Sequence, residues 1–383
     1  MKKTLVALAA LASVSAYAQT TVTMDGGLDM GYQIINYKGN SVSGFNNNGT
    51  STSQINFRGT SDLGGGMKAE FRSETDWNPA SNRANTGAAS VVDIGNGSGT
   101  NEHQKNSAVS SWGNGEQRVG LSGGFGRIDL GTPNFNGVTT ILTGQPFGTA
   151  FGSAYGSLLG INQGHNGVRA ENSIKYTSPS INGLNVAVYQ SKKQTLGSNT
   201  TNAFSAGLGV MDLVGSQELG VNYANGPLSV SYSSLKQDNV NLISAVTGSG
   251  STAGTTTTGS TAATVTSFGA NYVIGASKVF VLSTSNKTNT NSVNKAYQAF
   301  SVTHSIGNIV LMASLGTAKD KLDGDTSNLT AIGADYLLSK TTALYARQES
   351  IKDTAGLVAI TGFTAATGNV TRTRTALGLR TTF

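Results

Sequence analysis

Residues 20–35, TTVTMDGGLDMGYQII, alternate with a strict period of two. Val22, Met24, Gly26, Leu28, Met30, Tyr32 and Ile34 fall on one side of an extended chain. Thr21, Thr23, Asp25, Gly27, Asp29, Gly31 and Gln33 fall on the other. Period two is the signature of a strand with two different surroundings. The run is longer than the roughly five or six residues common in soluble sheets. It matches the about nine to eleven residues that a tilted strand needs to cross a bilayer.

The pattern recurs along the chain. Ile55 and Phe57 alternate with Asn56 and Arg58, SDLGGG makes a tight turn, and Met67, Ala69 and Phe71 then alternate with Lys68, Glu70 and Arg72. Val119 and Leu121 lead through Ser122-Gly123-Gly124 to Ile128 and Leu130. Ile174 and Tyr176 alternate with Glu171, Ser173 and Lys175, and turn at 179–183 into Leu184, Val186 and Val188. Further pairs flank turns at 224–227, near Gly275, at 307–308 and at 338–340. The last strand, TRTRTALGLRTTF, sets Thr375, Leu377, Leu379, Thr381 and Phe383 against Arg372, Arg374, Ala376, Gly378 and Arg380. Long polar stretches separate the hairpins, notably 73–113 and the Ser/Thr/Gly-rich 237–262, both expected to be exposed loops.

Short turns that alternate with long loops mark a transmembrane barrel. An open sheet edge cannot persist in lipid, so such a sheet must close. The expected fold is therefore all-β: a transmembrane antiparallel β-barrel. At about 23 residues per strand and connection it would have roughly sixteen strands. Composition agrees. Only 12% of residues are charged, about half the usual share, and Gly numbers 50.

The first eighteen residues read as a signal peptide, with Lys2 and Lys3, an apolar Leu5 to Val14, and Ala16-Tyr17-Ala18 before the cleavage site. Without those two lysines the formal charge falls from +6 to +4. Residues 19–383 show no composition shift that would divide them into two domains. There is no Cys, hence no disulfide framework. The mild basic balance has no Lys/Arg run, so nucleic acid is not expected as a partner. No spaced His set suits a metal, and no cofactor motif is present. His103, His165 and His304 are scattered, and the Gly-rich stretches at 64–66 and 122–126 read as turns.

One stretch departs from the pattern. Residues 132–168 contain no Asp, Glu, Lys or Arg, although Arg127, Asp129, Arg169 and Glu171 flank them. Gly144, Gly148, Gly152, Gly156 and Gly160 recur every fourth residue, and Phe147, Phe151, Tyr155 and Leu159 run one row over. Spacing of four lines one side of a helix, but a helix with so many glycines would be weak. The stretch reads as a long functional loop held against a wall by its aromatic row.

FRGTSDLGGGMKAEF, GLSGGFGRIDLG, NSIKYTSP, AIGADYLLSKTTALYA and the terminal ALGLRTTF resemble, in this order, the general porins of Gram-negative outer membranes, those of beta-proteobacteria most of all. The resemblance covers nearly the whole mature chain. It implies a sixteen-stranded porin barrel over 19–383, a homotrimer, and a third loop, here 132–168, folded inward as the constriction. It implies passage of small ions and hydrophilic solutes, contact with outer-membrane lipid and lipopolysaccharide, and a terminal aromatic, Phe383, read by the barrel assembly machinery. It also implies a positive ladder at the narrowest point. Arg58 and Arg169 match two rungs; a third falls on Gly115, with Arg118 nearby. Lys68, Glu70, Arg72, Glu171, Arg372 and Arg374 would also face the lumen. Third loops of the family bring acidic groups to face the arginines, and this one has none.

The expected function is passive diffusion with a preference for anions, since rings of Arg suit anion passage. In the competing view Arg58, Arg118 and Arg169 pair with Asp29, Glu70, Asp129 or Glu171. Two other functions stay open: a porin selective for organic acids, whose arginines bind carboxylates, and an outer-membrane barrel enzyme, which the lack of a Ser/His or Asp/His set disfavours. A secreted soluble β-protein, such as an adhesin, is a third class.

Overall fold

The computed structural model describes residues 20–37, 40–77, 79, 113–153, 168–191, 215–240, 261–291, 293–353 and 370–383. The signal peptide and most of the long loops lie outside these. Strand β1 (Thr20–Tyr37) carries the alternation over 18 residues. Its apolar row is the exposed one: Val22, Met24, Leu28, Met30 and Tyr32 face out, while Asp29 and Gln33 are buried. A soluble sheet would reverse this. Apolar outside and polar inside is the arrangement that lipid demands.

The chain continues through β2 (Asn40–Asn47), β3 (Gln54–Gly64), β4 (Met67–Asp76), β5 (Gln117–Gly123), β6 (Gly126–Gly131), helix α1 (Asn136–Gly144), β7 (Ser173–Thr177), β8 (Leu184–Ser191) and β9 (Gly215–Asn225). Then come β10 (Leu228–Val240), β11 (Thr261–Ile274), β12 (Ser277–Thr288), β13 (Asn294–Ile306), β14 (Ile309–Asp320), β15 (Thr326–Leu337), β16 (Thr342–Asp353) and β17 (Val370–Thr382). From β3 onward each strand pairs antiparallel with the next. β17 returns to β1, Gly27 opposite Thr382 through Tyr37 opposite Arg372, and the ring closes.

The other flank of β1 is shared. Its Met30–Tyr37 half pairs with β2 and its Thr20–Gly27 half with β3. Seventeen described strands, less one for this shared place, leave sixteen positions around the barrel.

Strand β2 lies outside the strands expected from the period-two pattern. The polar stretches at 73–113 and 237–262, expected as loops, also hold strand: β4 runs on to Asp76, β10 reaches Val240 and β11 starts at Thr261. The cause is physical. Beyond the lipid belt a strand has no need of an apolar row, so its ends read as loop.

Within the belt the apolar row is continuous from strand to strand. Phe300 stands opposite both Val281 and Leu315, and all three are exposed. Tyr176, Tyr223, Tyr272 and Tyr336 lie one or two residues from the ends of β7, β9, β11 and β15, beside the short turns. Aromatic rings at that level suit the membrane–water interface.

Candidate functional site

The charge-free stretch begins after β6, and its described residues, 132–153 and 168, include several bonded to polar side chains of the sheet. Its first part is helical. Asn136, Thr140, Ile141 and Gly144 form the buried face of α1. The residue before the helix, Phe135, offers no side-chain cap. Glu218 of β9 caps the helix: it accepts the Asn136 N–H at 2.6 Å and the Gly137 N–H at 2.8 Å. A carboxylate there satisfies orphan donors and complements the helix dipole. Ser233 donates to the same carboxylate at 2.6 Å.

The helix is bonded along its length. Thr140 and Ser231 hydroxyls lie 2.7 Å apart, and the Asn271 amide donates to the Thr143 carbonyl at 2.8 Å. Gly269 of β11 makes this approach possible: a Cβ there would lie 2.9 Å from the Gly144 nitrogen and run into the Thr140 carbonyl oxygen.

Past the helix, the spacing of four has another cause than the one its periodicity suggests. Gly148 (φ 65°) and Gly152 (φ 93°) take left-handed conformations that no α-helix contains. They fold the chain so that Phe147 packs with Met312 and Ala331, and Phe151 with Tyr345 and Ala376. The Gly152 N–H donates to Glu349 at 2.9 Å. Glu349 also holds Arg372 at 2.9 Å and Arg374 at 2.8 Å, and the Arg374 guanidinium lies 4.2 Å from the Phe151 ring centre. These two arginines are buried beneath the stretch. Residues 154–167, with Tyr155, Leu159 and His165, lie outside the described residues, as does His103.

Strands β3 to β5 carry arginines in a row. Arg58 on β3 stands directly opposite Arg72 on β4, which stands opposite Arg118 on β5. Like charges across a ladder repel. Carboxylates are interleaved. Arg58 pairs with Asp25, and Arg72 with Glu74 and Glu116. Arg118 lies 3.1 Å from Glu116 and 2.8 Å from Asp129. Arg127 reaches Asp129 at 2.9 Å and Glu70 at 3.3 Å. Arg169, just before β7, is 3.7 Å from Glu74 and donates to the Asn134 side chain at 3.1 Å. Lys68 is exposed near the short turn, and Glu171 is half-buried.

Arg118 thus holds Asp129, as the pairing view has it, while Asp25, Glu74 and Glu116 are further partners outside that view. Asp29, which it did name, binds backbone N–H groups instead. Arg72 belongs in the row. It stands opposite Arg58 because the pairing shifts by one residue between Asp62 and Gly64, next to the turn.

A family model for Gram-negative porins matches residues 4–356. The chain belongs to that family. Outer membrane porin protein 32 of Delftia acidovorans is 34% identical over 241 residues, 60% of this chain and 58% of its own. An outer membrane porin protein of Bordetella pertussis is 30% identical over 261 residues, 62% of this chain and 61% of its own. The match therefore spans about three fifths of these relatives' length. Among solved structures, an anion-selective porin from Comamonas acidovorans superposes with a TM-score of 0.71 at 23% identity, covering 95% of this chain and all of that one. OmpT of Vibrio cholerae gives 0.60 at 14% identity, over 95% and 99%. These likenesses speak for the fold, and this porin is a β-barrel of the outer membrane.

Proposed function

We propose that this porin forms a water-filled channel through which small hydrophilic solutes and ions diffuse passively, anions ahead of cations. The 132–168 stretch folds into the lumen and narrows it against the wall that bears Arg58, Arg118 and Arg169, with Arg72 in the same row. The observation that supports this reading is a charge-free segment bonded to inner-row side chains of the sheet, in a barrel whose early strands carry Arg58, Arg72 and Arg118 opposite one another.

Ion pairing lowers the field of that row without cancelling it. In the pairs of Arg118, Arg127 and Arg169 the arginine side chain is exposed by 10, 30 and 11%, against 7% for Asp129 beside the first two and 7% for Glu74 beside the third, while Arg58 and Asp25 are equally exposed. A narrow aqueous path through a low-dielectric wall focuses the field that remains. The kinship with a protein described as anion-selective supports the same sign. We further propose a homotrimer in contact with outer-membrane lipid and lipopolysaccharide, and Phe383 as the residue read by the assembly machinery.

Planar-bilayer recordings in a salt gradient test the reading. The native channel should reverse on the anion side. Arg58→Gln combined with Arg169→Gln should keep the channel open and move the reversal potential toward cations, because Asp25 loses its partner and Glu74 keeps only Arg72. Cation preference in the native channel would overturn the anion reading.

A further inference from the structure

Between β2 and β3 the chain leaves the sheet. Pairing with β1 stops at Met30 opposite Asn47 and resumes at Gly27 opposite Gln54. Only Leu28 and Asp29 of β1 lie between those pairs, while the other chain has residues 48–53 to place there. The surplus must bulge out of the sheet. A one-residue surplus makes an ordinary β-bulge; this one is larger, and its side of the wall can be read from its bonds.

The bulge lies on the lumen side. Asp29, on the inner row and 1% exposed, gathers it in. Its carboxylate accepts the N–H groups of Gly49 at 3.3 Å, Thr50 at 2.7 Å and Ser51 at 2.9 Å. It also accepts the Thr50 and Tyr345 hydroxyls, each at 2.6 Å. Ser53 ties the far end, with its hydroxyl 2.9 Å from the Asp29 nitrogen and 3.1 Å from the Asp29 carbonyl. Successive N–H groups that converge on one carboxylate form a nest, which fixes the backbone and neutralises the charge it holds. The bulge also meets the charge-free stretch: a Cβ on Gly148 would lie 2.8 Å from the Thr50 carbonyl oxygen.

We propose that residues 49–52 form a second inward ledge of the constriction, beside Phe147 to Ser153 and locked by Asp29. The ledge presents an uncharged hydroxyl edge, Ser51 and Thr52, to passing hydrated anions and polar solutes, and it sets the width of the lumen on the β1–β16 side. The inference rests on the reading of the lumen as the conducting path.

The absence of Cys from the sequence makes the test clean. Ser51→Cys is recorded in planar bilayers before and after an anionic or a cationic methanethiosulfonate reagent, with labelling of the folded protein measured by mass. Thr52→Cys, outside the Asp29 bonds, serves if the first variant does not fold. Modification should lower conductance roughly twofold, and the two adducts should move the reversal potential in opposite directions. Complete labelling with unchanged conductance and reversal potential would overturn the ledge. So would a folded channel that resists labelling while the unfolded chain accepts it. A native protein that inserts without conducting would instead sink the channel reading itself.

Discussion

At the residue scale, three buried carboxylates hold the inner segments to the wall. Asp29 takes the bulge at 49–51, Glu218 the start of α1, and Glu349 the Gly152 N–H. Each is 4% exposed or less, and each is matched by donors. A buried ion must be so matched, since removing one partner leaves an uncompensated charge. Glu349 is the most demanding case because two guanidiniums converge on it. Glu349→Gln should therefore destabilise the folded barrel by about 3–5 kcal/mol. Urea titration in detergent micelles, compared with the parent, reads this directly. A midpoint equal to the parent's would mean that Arg372 and Arg374 do not depend on Glu349.

At the element scale, α1 and the strands obey different rules. The helix is short, rich in Thr and Gly, and without a cap of its own, so its stability comes from docking. Glu218→Gln weakens the charge-assisted cap, a loss of about 1 kcal/mol. The barrel should survive it, while open-channel noise rises as the helix end loosens. Gly269→Val should act more strongly. Its side chain would push against the Thr140 carbonyl and lift the helix from β11, changing conductance while the heat-modifiable barrel band on gels persists. The strands are fixed by their lipid-facing row. Leu315, mid-strand on β14 and 62% exposed, faces hydrocarbon. Leu315→Arg should cost about 2–4 kcal/mol of folding free energy in phospholipid vesicles. A cost near zero would place that row outside the lipid.

For the whole molecule, closure is the decisive property. β1 must meet β17, and the last residue takes part: Phe383 and Gly26 exchange backbone hydrogen bonds at 3.2 Å each. Those bonds need no particular side chain, and the Phe383 ring is exposed. Phe383→Ala should accordingly change the stability of the refolded barrel by no more than about 1 kcal/mol. If the ring is read during assembly, the same variant should be depleted from outer membranes of cells. Equal depletion in refolding yield and in cells would assign Phe383 a structural part alone.

Period-two alternation, short turns and long polar stretches determined the strands, their two faces and the need for a closed ring, because lipid outside and water inside act on each residue locally. The charge-free character of 132–168 was likewise plain in the chain itself. What only the tertiary structure decided is who meets whom across the barrel. Glu218 is more than 80 residues from the helix it caps, and Tyr345 more than 300 from the Asp29 it donates to. The bulge at 48–53 exists because two strands share one flank of β1. Local periodicity is blind to such contacts: they arise when the ring closes and brings its inner rows face to face.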